Sequence, residues 1–171
     1  MITYYKGKFL KRKDIPINDN LFRGLGVFET IKFINKKMIF FNEHIDRLFL
    51  NNHFFNFQKI TKNKIQDMAI QTINKNNLSD GLIKIIIVPT GEDLNDVEYY
   101  IFIRELPKTN TNLARIKFYS ESIYPIFRFK PAFKSLCYMG NMLAIKDAKS
   151  EGVFEPIFYN NNNIITEGAI R

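Results

Sequence analysis

Ile65, Met68, Ala69, Thr72 and Ile73 recur at the three- and four-residue steps that line one face of an α-helix, between two groups of strand-like runs. A helix with one apolar face needs a surface to bury it against, and the flanking strands supply one. Thr61 is placed to cap this helix, its hydroxyl accepting from a free first-turn amide. Upstream, residues 2–10 read as a strand pair turning at Lys6-Gly7-Lys8, and residues 27–34 and 38–41 as two strands joined at Asn35-Lys36-Lys37. Asn42 is read as the cap of a further helix in which Ile45, Leu48, Phe49 and Asn52 share a face with Arg47 beside it. Strands follow at 82–88 and 98–106, separated by a polar turn. The pattern predicts an α/β fold whose first domain, residues 1–106, is a two-layer α+β unit.

Residues 107–113 open with Pro107 and a polar run, and form the expected interdomain linker. Beyond it, 114–120 reads as a strand, 140–150 as a helix stopped at Gly152, and 154–159 with 164–166 as a hairpin around four asparagines. Residues 114–171 are expected to be the opening of a second, β-rich domain.

Composition narrows the function classes. A hydrophobic fraction of 46% with seventeen Phe and no Trp supports a packed core built largely on phenylalanine. The net charge of +8 raises an acidic partner such as nucleic acid, but the lysines are scattered and no block of five or six basic residues occurs. Nucleic acid is therefore not an expected partner. One cysteine, Cys137, excludes an intramolecular disulfide and a cysteine-rich zinc site; it reads as a small apolar filler. His44 reads as serving its helix, and His53 as a half-buried helix residue. No apolar run reaches membrane-spanning length and the first ten residues carry Lys6 and Lys8, so neither a membrane span nor a secretory signal is expected, and the location is read as cytoplasmic.

Four short elements stand in order: Gly24-Leu25-Gly26-Val27-Phe28-Glu29-Thr30, Asn42-Glu43-His44-Ile45-Asp46-Arg47-Leu48, Phe133-Lys134-Ser135-Leu136-Cys137-Tyr138, and Ile165-Thr166-Glu167-Gly168-Ala169. Each residue has an ordinary reading when taken alone. Lys134 would be a solvated lysine, Glu167 a turn-flanking acid, Arg47 a helix arginine paired with Glu43, and Tyr138 a core tyrosine. Together the four elements resemble the class IV (fold type IV) pyridoxal-phosphate enzymes, which comprise branched-chain and D-amino acid aminotransferases and aminodeoxychorismate lyases.

The resemblance implies a D-amino acid aminotransferase-like fold and pyridoxal 5′-phosphate as cofactor. Lys134 would hold the cofactor as a Schiff base and carry protons, Glu167 would face the ring nitrogen, Arg47 the phosphate, and Tyr138 the phenolic oxygen. It implies amino transfer between an amino acid and a 2-oxo acid, or instead the cleavage of aminodeoxychorismate to 4-aminobenzoate and pyruvate. It also implies a homodimer. Phe28-Glu29-Thr30 resembles lyase-like members more than the Phe-Glu-Gly of branched-chain enzymes. The family's Gly-Asp-Gly is Gly24-Leu25-Gly26 here, and Pro89-Thr90-Gly91 stands where many relatives place an Arg-Gly that helps hold the substrate carboxylate. Members of the family continue past the Thr-Glu-Gly element. The second domain is accordingly expected to be truncated, and the chain alone to be an inactive fragment or half of a split enzyme.

Overall fold

The computed structural model describes residues 1–50, 60–92, 94, 96–107, 113–127 and 134–170. The linker residues 108–112, Asn52, His53 and Phe133 lie outside the described residues. The chain divides into two compact units. The first contains the described residues of 1–107 with Lys134, Ser135 and Leu136; the second contains those of 113–127 and Cys137 onward.

The first unit is an antiparallel sheet of six strands with helices on one face. Strands β1 (Ile2–Tyr5) and β2 (Lys8–Lys11) form a hairpin whose two turn residues, Lys6 and Gly7, have φ of 44° and 81°. Paired left-handed residues match the twist of the strands they join, which is why a glycine stands here. Strand β3 (Val27–Ile34) turns through Asn35 and Lys36, again at positive φ, into the short β4 (Lys37–Met38). Strands β5 (Gly81–Thr90) and β6 (Asp96–Arg104) complete the order β2-β1-β6-β5-β3-β4.

The α-helices of this unit among the described residues are α1 (Asp19–Phe22), α2 (Phe41–Phe49) and α3 (Lys62–Asn76). In α3 the five residues picked out by spacing are the five buried ones, and Thr61 Oγ1 accepts from Lys64 N at 3.2 Å as a cap. They pack on Ile31, Phe33, Ile83, Ile85, Ile87, Ile101 and Ile103, the apolar alternates of the three central strands. Two expectations are corrected. Residues 38–41 do not form a full strand, and Asn42 is not the cap: α2 begins at Phe41, preceded by Phe40 in a left-handed conformation with no side-chain cap bond. Phe41 is buried in the core, and seating that ring starts the helix before Asn42, which is left exposed in the first turn.

The second unit is smaller. Strand β7 (Ile116–Ser120) runs parallel to β8 (Glu155–Tyr159), with α4 (Met139–Ser150) between them in sequence, and β9 (Ile165–Gly168) pairs antiparallel to β8. Ala144, Ile145 and Ala148 of α4 pack on Tyr119 and Phe158. Small residues are required on this helix: a Cβ at Gly140 would lie 2.0 Å from the Pro125 carbonyl oxygen. No helix among the described residues is long and apolar enough to cross a membrane.

Candidate active site

The first turn of β3 has a free edge, because β4 pairs only with its far end. Lys134, Ser135 and Leu136 occupy that edge. Phe28 N–H donates to the Lys134 carbonyl at 3.0 Å, Leu136 N–H donates to the Gly26 carbonyl at 3.0 Å, and Val27 bridges Ser135. The approach depends on Gly26. Its φ is +141°, and a Cβ there would lie 2.8 Å from both the Ile87 carbonyl oxygen and Leu136 Cδ1.

Main-chain pairing thus sets where the Lys134 side chain starts, and its amine lies 5.0 Å from the centre of the Phe28 ring. Lys84, on β5, places its own amine 4.0 Å from the same ring. Burial pushes the Lys84 amine below its ordinary range, and the charges of Arg104 and Lys134 push it further in the same direction. A buried aromatic ring flanked by two amines makes an electropositive, partly desolvated setting.

The loop that delivers Gly26 is braced from β5 and β6. Asn20, itself buried, donates to the Pro89 carbonyl at 2.9 Å and accepts Leu25 N–H on its own carbonyl at 2.9 Å. Glu98 gathers the hydroxyls of Tyr5 at 3.0 Å and Tyr100 at 3.1 Å, with the Lys6 amine at 2.5 Å. Asn18 Nδ2 reaches the same carboxylate at 3.5 Å.

Glu29, next after Phe28, points to the helix-covered side, where strand alternation puts it among the core residues. Only 1% of its side chain is exposed. Arg47 meets it with a two-bond fork, Nε to Oε1 at 2.5 Å and Nη2 to Oε2 at 2.6 Å, and His44 Nδ1 lies 2.8 Å from Oε2. His44 therefore does more than serve its helix: it joins α2 to β3. Arg47 is bound to Glu29 on β3, whereas its sequence position had suggested Glu43.

In the second unit, Tyr138 immediately precedes α4, accepts Met142 N–H on its carbonyl at 3.0 Å, and has a half-buried side chain. Glu167 stands half-buried on β9. The segment after it is fixed by two buried polar residues: Asn141 Nδ2 donates to the Ala169 carbonyl at 3.1 Å, and Glu155 Oε1 accepts Ile170 N–H at 2.8 Å.

The first unit therefore carries Lys134 and Arg47, and the second carries Tyr138 and Glu167. Glu29, Lys84, Asn141 and Glu155 were not picked out from sequence. Glu29 had a signal: it is the acid in the apolar alternation Val27, Ile31, Phe33, and a buried carboxylate demands a cationic partner. Among the described residues no group of three His, Cys, Asp or Glu could hold a metal ion. The side chains supply an amine, a guanidinium, a phenol and a carboxylate.

Comparison with known proteins gives the following. The family model described as "Amino-transferase class IV" matches residues 26–171. A Methanocaldococcus jannaschii protein named "Putative branched-chain-amino-acid aminotransferase" is 28% identical over 99% of this chain and 63% of its own length. The branched-chain amino acid aminotransferase of Escherichia coli superposes with a TM-score of 0.79 at 20% identity, over 98% of this chain and 62% of that one. A hypothetical aminotransferase from Mycobacterium tuberculosis in its PLP-bound form gives a TM-score of 0.76 at 18% identity, over 99% of this chain and 65% of that one. The chain thus spans somewhat under two thirds of the length of these relatives.

Proposed function

The chain belongs to the class IV amino-transferase family and has its fold, and from that premise we propose that the full-length protein is a pyridoxal-phosphate enzyme transferring an amino group between an amino acid and a 2-oxo acid. The observation that carries this reading is the pinning of Lys134 on the edge of β3, with its amine over the Phe28 ring. The main-chain bonds on either side of Lys134 fix its backbone, which suits a residue that must bond covalently and then let go.

The residues present fit the cofactor by the chemistry of their donor set. When bound, pyridoxal phosphate supplies an aldehyde and an electron-withdrawing ring to the carbon that bears the amino group. Lys134 would hold the cofactor's aldehyde carbon through its ε-amine, and the same amine would serve to carry a proton to and from the substrate α-carbon. The Glu167 carboxylate accepts from the ring N–H and keeps that proton in place. Arg47 donates to the phosphate, for which the guanidinium fork is suited. The Tyr138 hydroxyl donates to the phenolic oxygen.

A lyase reading, with aminodeoxychorismate as substrate, draws its support from the Phe28-Glu29-Thr30 triplet, whose Thr30 is half-buried on β3 opposite Lys84. Assaying 2-oxo acid amination beside 4-aminobenzoate release separates the two. The resemblance also supports a homodimer, which light scattering of the full-length protein tests.

The cofactor assignment is tested by borohydride reduction of the full-length protein with pyridoxal phosphate, followed by peptide mapping. A pyridoxyl label on Lys134 is expected. Label on another lysine, or none, would overturn the reading.

A further inference from the structure

We propose that Lys84 is a second carbonyl-capturing amine, forming a reversible imine with a small 2-oxo acid whose carboxylate is taken by Arg104. Such a site goes beyond the function proposed above and does not require Lys134 to hold the cofactor. Strand alternation places the pair. Ile83, Ile85 and Ile87 pack beneath the helices, so Lys84 projects from the other face of β5. The register sets Lys84 opposite Phe102 and Arg104 opposite Leu82, two residues along on that same face. Diagonal neighbours of this kind lie about 7–8 Å apart, within reach of two long side chains.

Burial disfavours a charged amine, and a carboxylate partner ordinarily compensates. Among the described residues neither Lys84 nor Arg104 forms an ion pair. What Lys84 meets instead is the Phe28 ring, 4.0 Å from the amine to its centre, and the charges of Arg104 and Lys134. Burial first, and then these two cations, hold the Lys84 amine below its ordinary range. A larger share of it is thus neutral and nucleophilic at a given pH. Arg104 is exposed, and its planar guanidinium suits a carboxylate.

A nucleophilic amine beside a carboxylate receptor fits a ligand whose carbonyl and carboxylate carbons are adjacent. That ligand is a 2-oxo acid. The amine lone pair attacks the carbonyl carbon, a C=N bond forms, and the carbonyl oxygen leaves as water. Addition of water reverses the step, and neither an oxidant nor a reductant is consumed. Pyridoxal phosphate carries a phenolic oxygen, not a carboxylate, beside its aldehyde and does not match the pair.

The test treats the full-length protein, without pyridoxal phosphate, with cyanoborohydride and either glyoxylate or acetaldehyde. Both are small aldehydes, and only glyoxylate carries a carboxylate. Hydride trapping leaves a carboxymethyl or an ethyl group on the amine, and peptide mapping follows each lysine separately. Dividing the glyoxylate rate at a lysine by its own acetaldehyde rate removes differences in accessibility. That ratio should be roughly two- to fivefold higher at Lys84 than at the exposed Lys13 and Lys36, the factor an exposed charge–charge interaction gives. Arg104→Met should lose most of this excess. With acetaldehyde, labelling of Lys84 should persist to lower pH than labelling of the exposed lysines, because its amine is held below the ordinary range. No label on Lys84, an equal ratio at the three lysines, or a ratio unchanged in Arg104→Met would overturn the proposal. Mapping of pyridoxal phosphate on Lys134 is a separate measurement, so either reading can fail while the other stands.

Discussion

Phe28 gives its main-chain N–H to the carbonyl of Lys134 at 3.0 Å and places its ring 5.0 Å from that lysine's amine. One strand residue thus fixes both the backbone and the surroundings of a lysine far away in sequence. The next residue, Glu29, does the same for Arg47 from the opposite face of the sheet. Consecutive positions of β3 reach both faces because side chains alternate along a strand. Strand β3 is therefore the element on which the amine and the guanidinium are both organised.

Gly26→Ala should destabilise the first unit by about 1–3 kcal/mol, the usual cost of forcing an extra methyl into packed structure. The new Cβ would meet backbone at Ile87 and the side chain of Leu136, at a φ that L residues rarely adopt. Urea denaturation measures the loss. Because Leu136 N–H bonds to Gly26, the same variant should also weaken pyridoxal binding at Lys134. Wild-type stability in Gly26→Ala would contradict the close packing of this edge.

The acid limb of the stability profile should depend on Glu98. Burial would push its carboxyl up, but the hydrogen bonds from Lys6, Tyr5 and Tyr100 outweigh this and hold it below the ordinary value of 4.5. A carboxylate whose folded value lies below its unfolded one contributes its full stabilisation above the unfolded value and loses it as pH falls through the folded value. Stability should therefore drop on acidification below about 4.5, and less steeply in Glu98→Gln. That variant should also be less stable at neutral pH, since the amide replaces a carboxylate that four side chains approach. Denaturation curves across the acid range compare the two slopes.

Asn141→Ala should cost about 1–3 kcal/mol, because it leaves the Ala169 carbonyl without its side-chain donor at a buried position. The effect should fall on the second unit. Hydrogen exchange should show faster opening of β9, which carries Glu167, while the amides of β3 and β5 stay protected. Equal deprotection of both units would count against a local role for Asn141.

Glu167→Gln should reduce turnover of the full-length protein on the order of a hundredfold or more, the lower range for loss of a proton-managing group. A neutral amide cannot hold the ring nitrogen protonated. Glu167 is half-buried at the end of a short strand, so the melting temperature should change little. Unchanged turnover would remove Glu167 from the site.

The sequence by itself determined every element whose signal is local. The buried face of α3 follows from the spacing of Ile65, Met68, Ala69, Thr72 and Ile73, because helical geometry brings those positions to one side whatever lies opposite. The Lys6-Gly7 hairpin follows likewise, since few residues other than glycine tolerate such turns. The four ordered motifs identified the family, and with it the residues to inspect. Where a local signal competed with burial, the reading failed. Asn42 had the chemistry of a cap, yet seating Phe41 in the core started the helix one residue earlier.

Only the tertiary structure decided what each chemical group meets. Nothing within reach of Arg47 along α2 announces Glu29, and His44 looked like a helix residue until β3 was laid beside it. Lys84 became a perturbed amine because the sheet carried it beside Phe28, with Lys134 and Arg104 near enough to repel it. The reason is one of range. Helix and turn propensities act over three or four residues, whereas burial and charge pairing act through space between residues that the chain separates widely. A sequence lists those residues without their distances, and in this protein the distances determine which amine stands beside which ring and which guanidinium is held by which carboxylate.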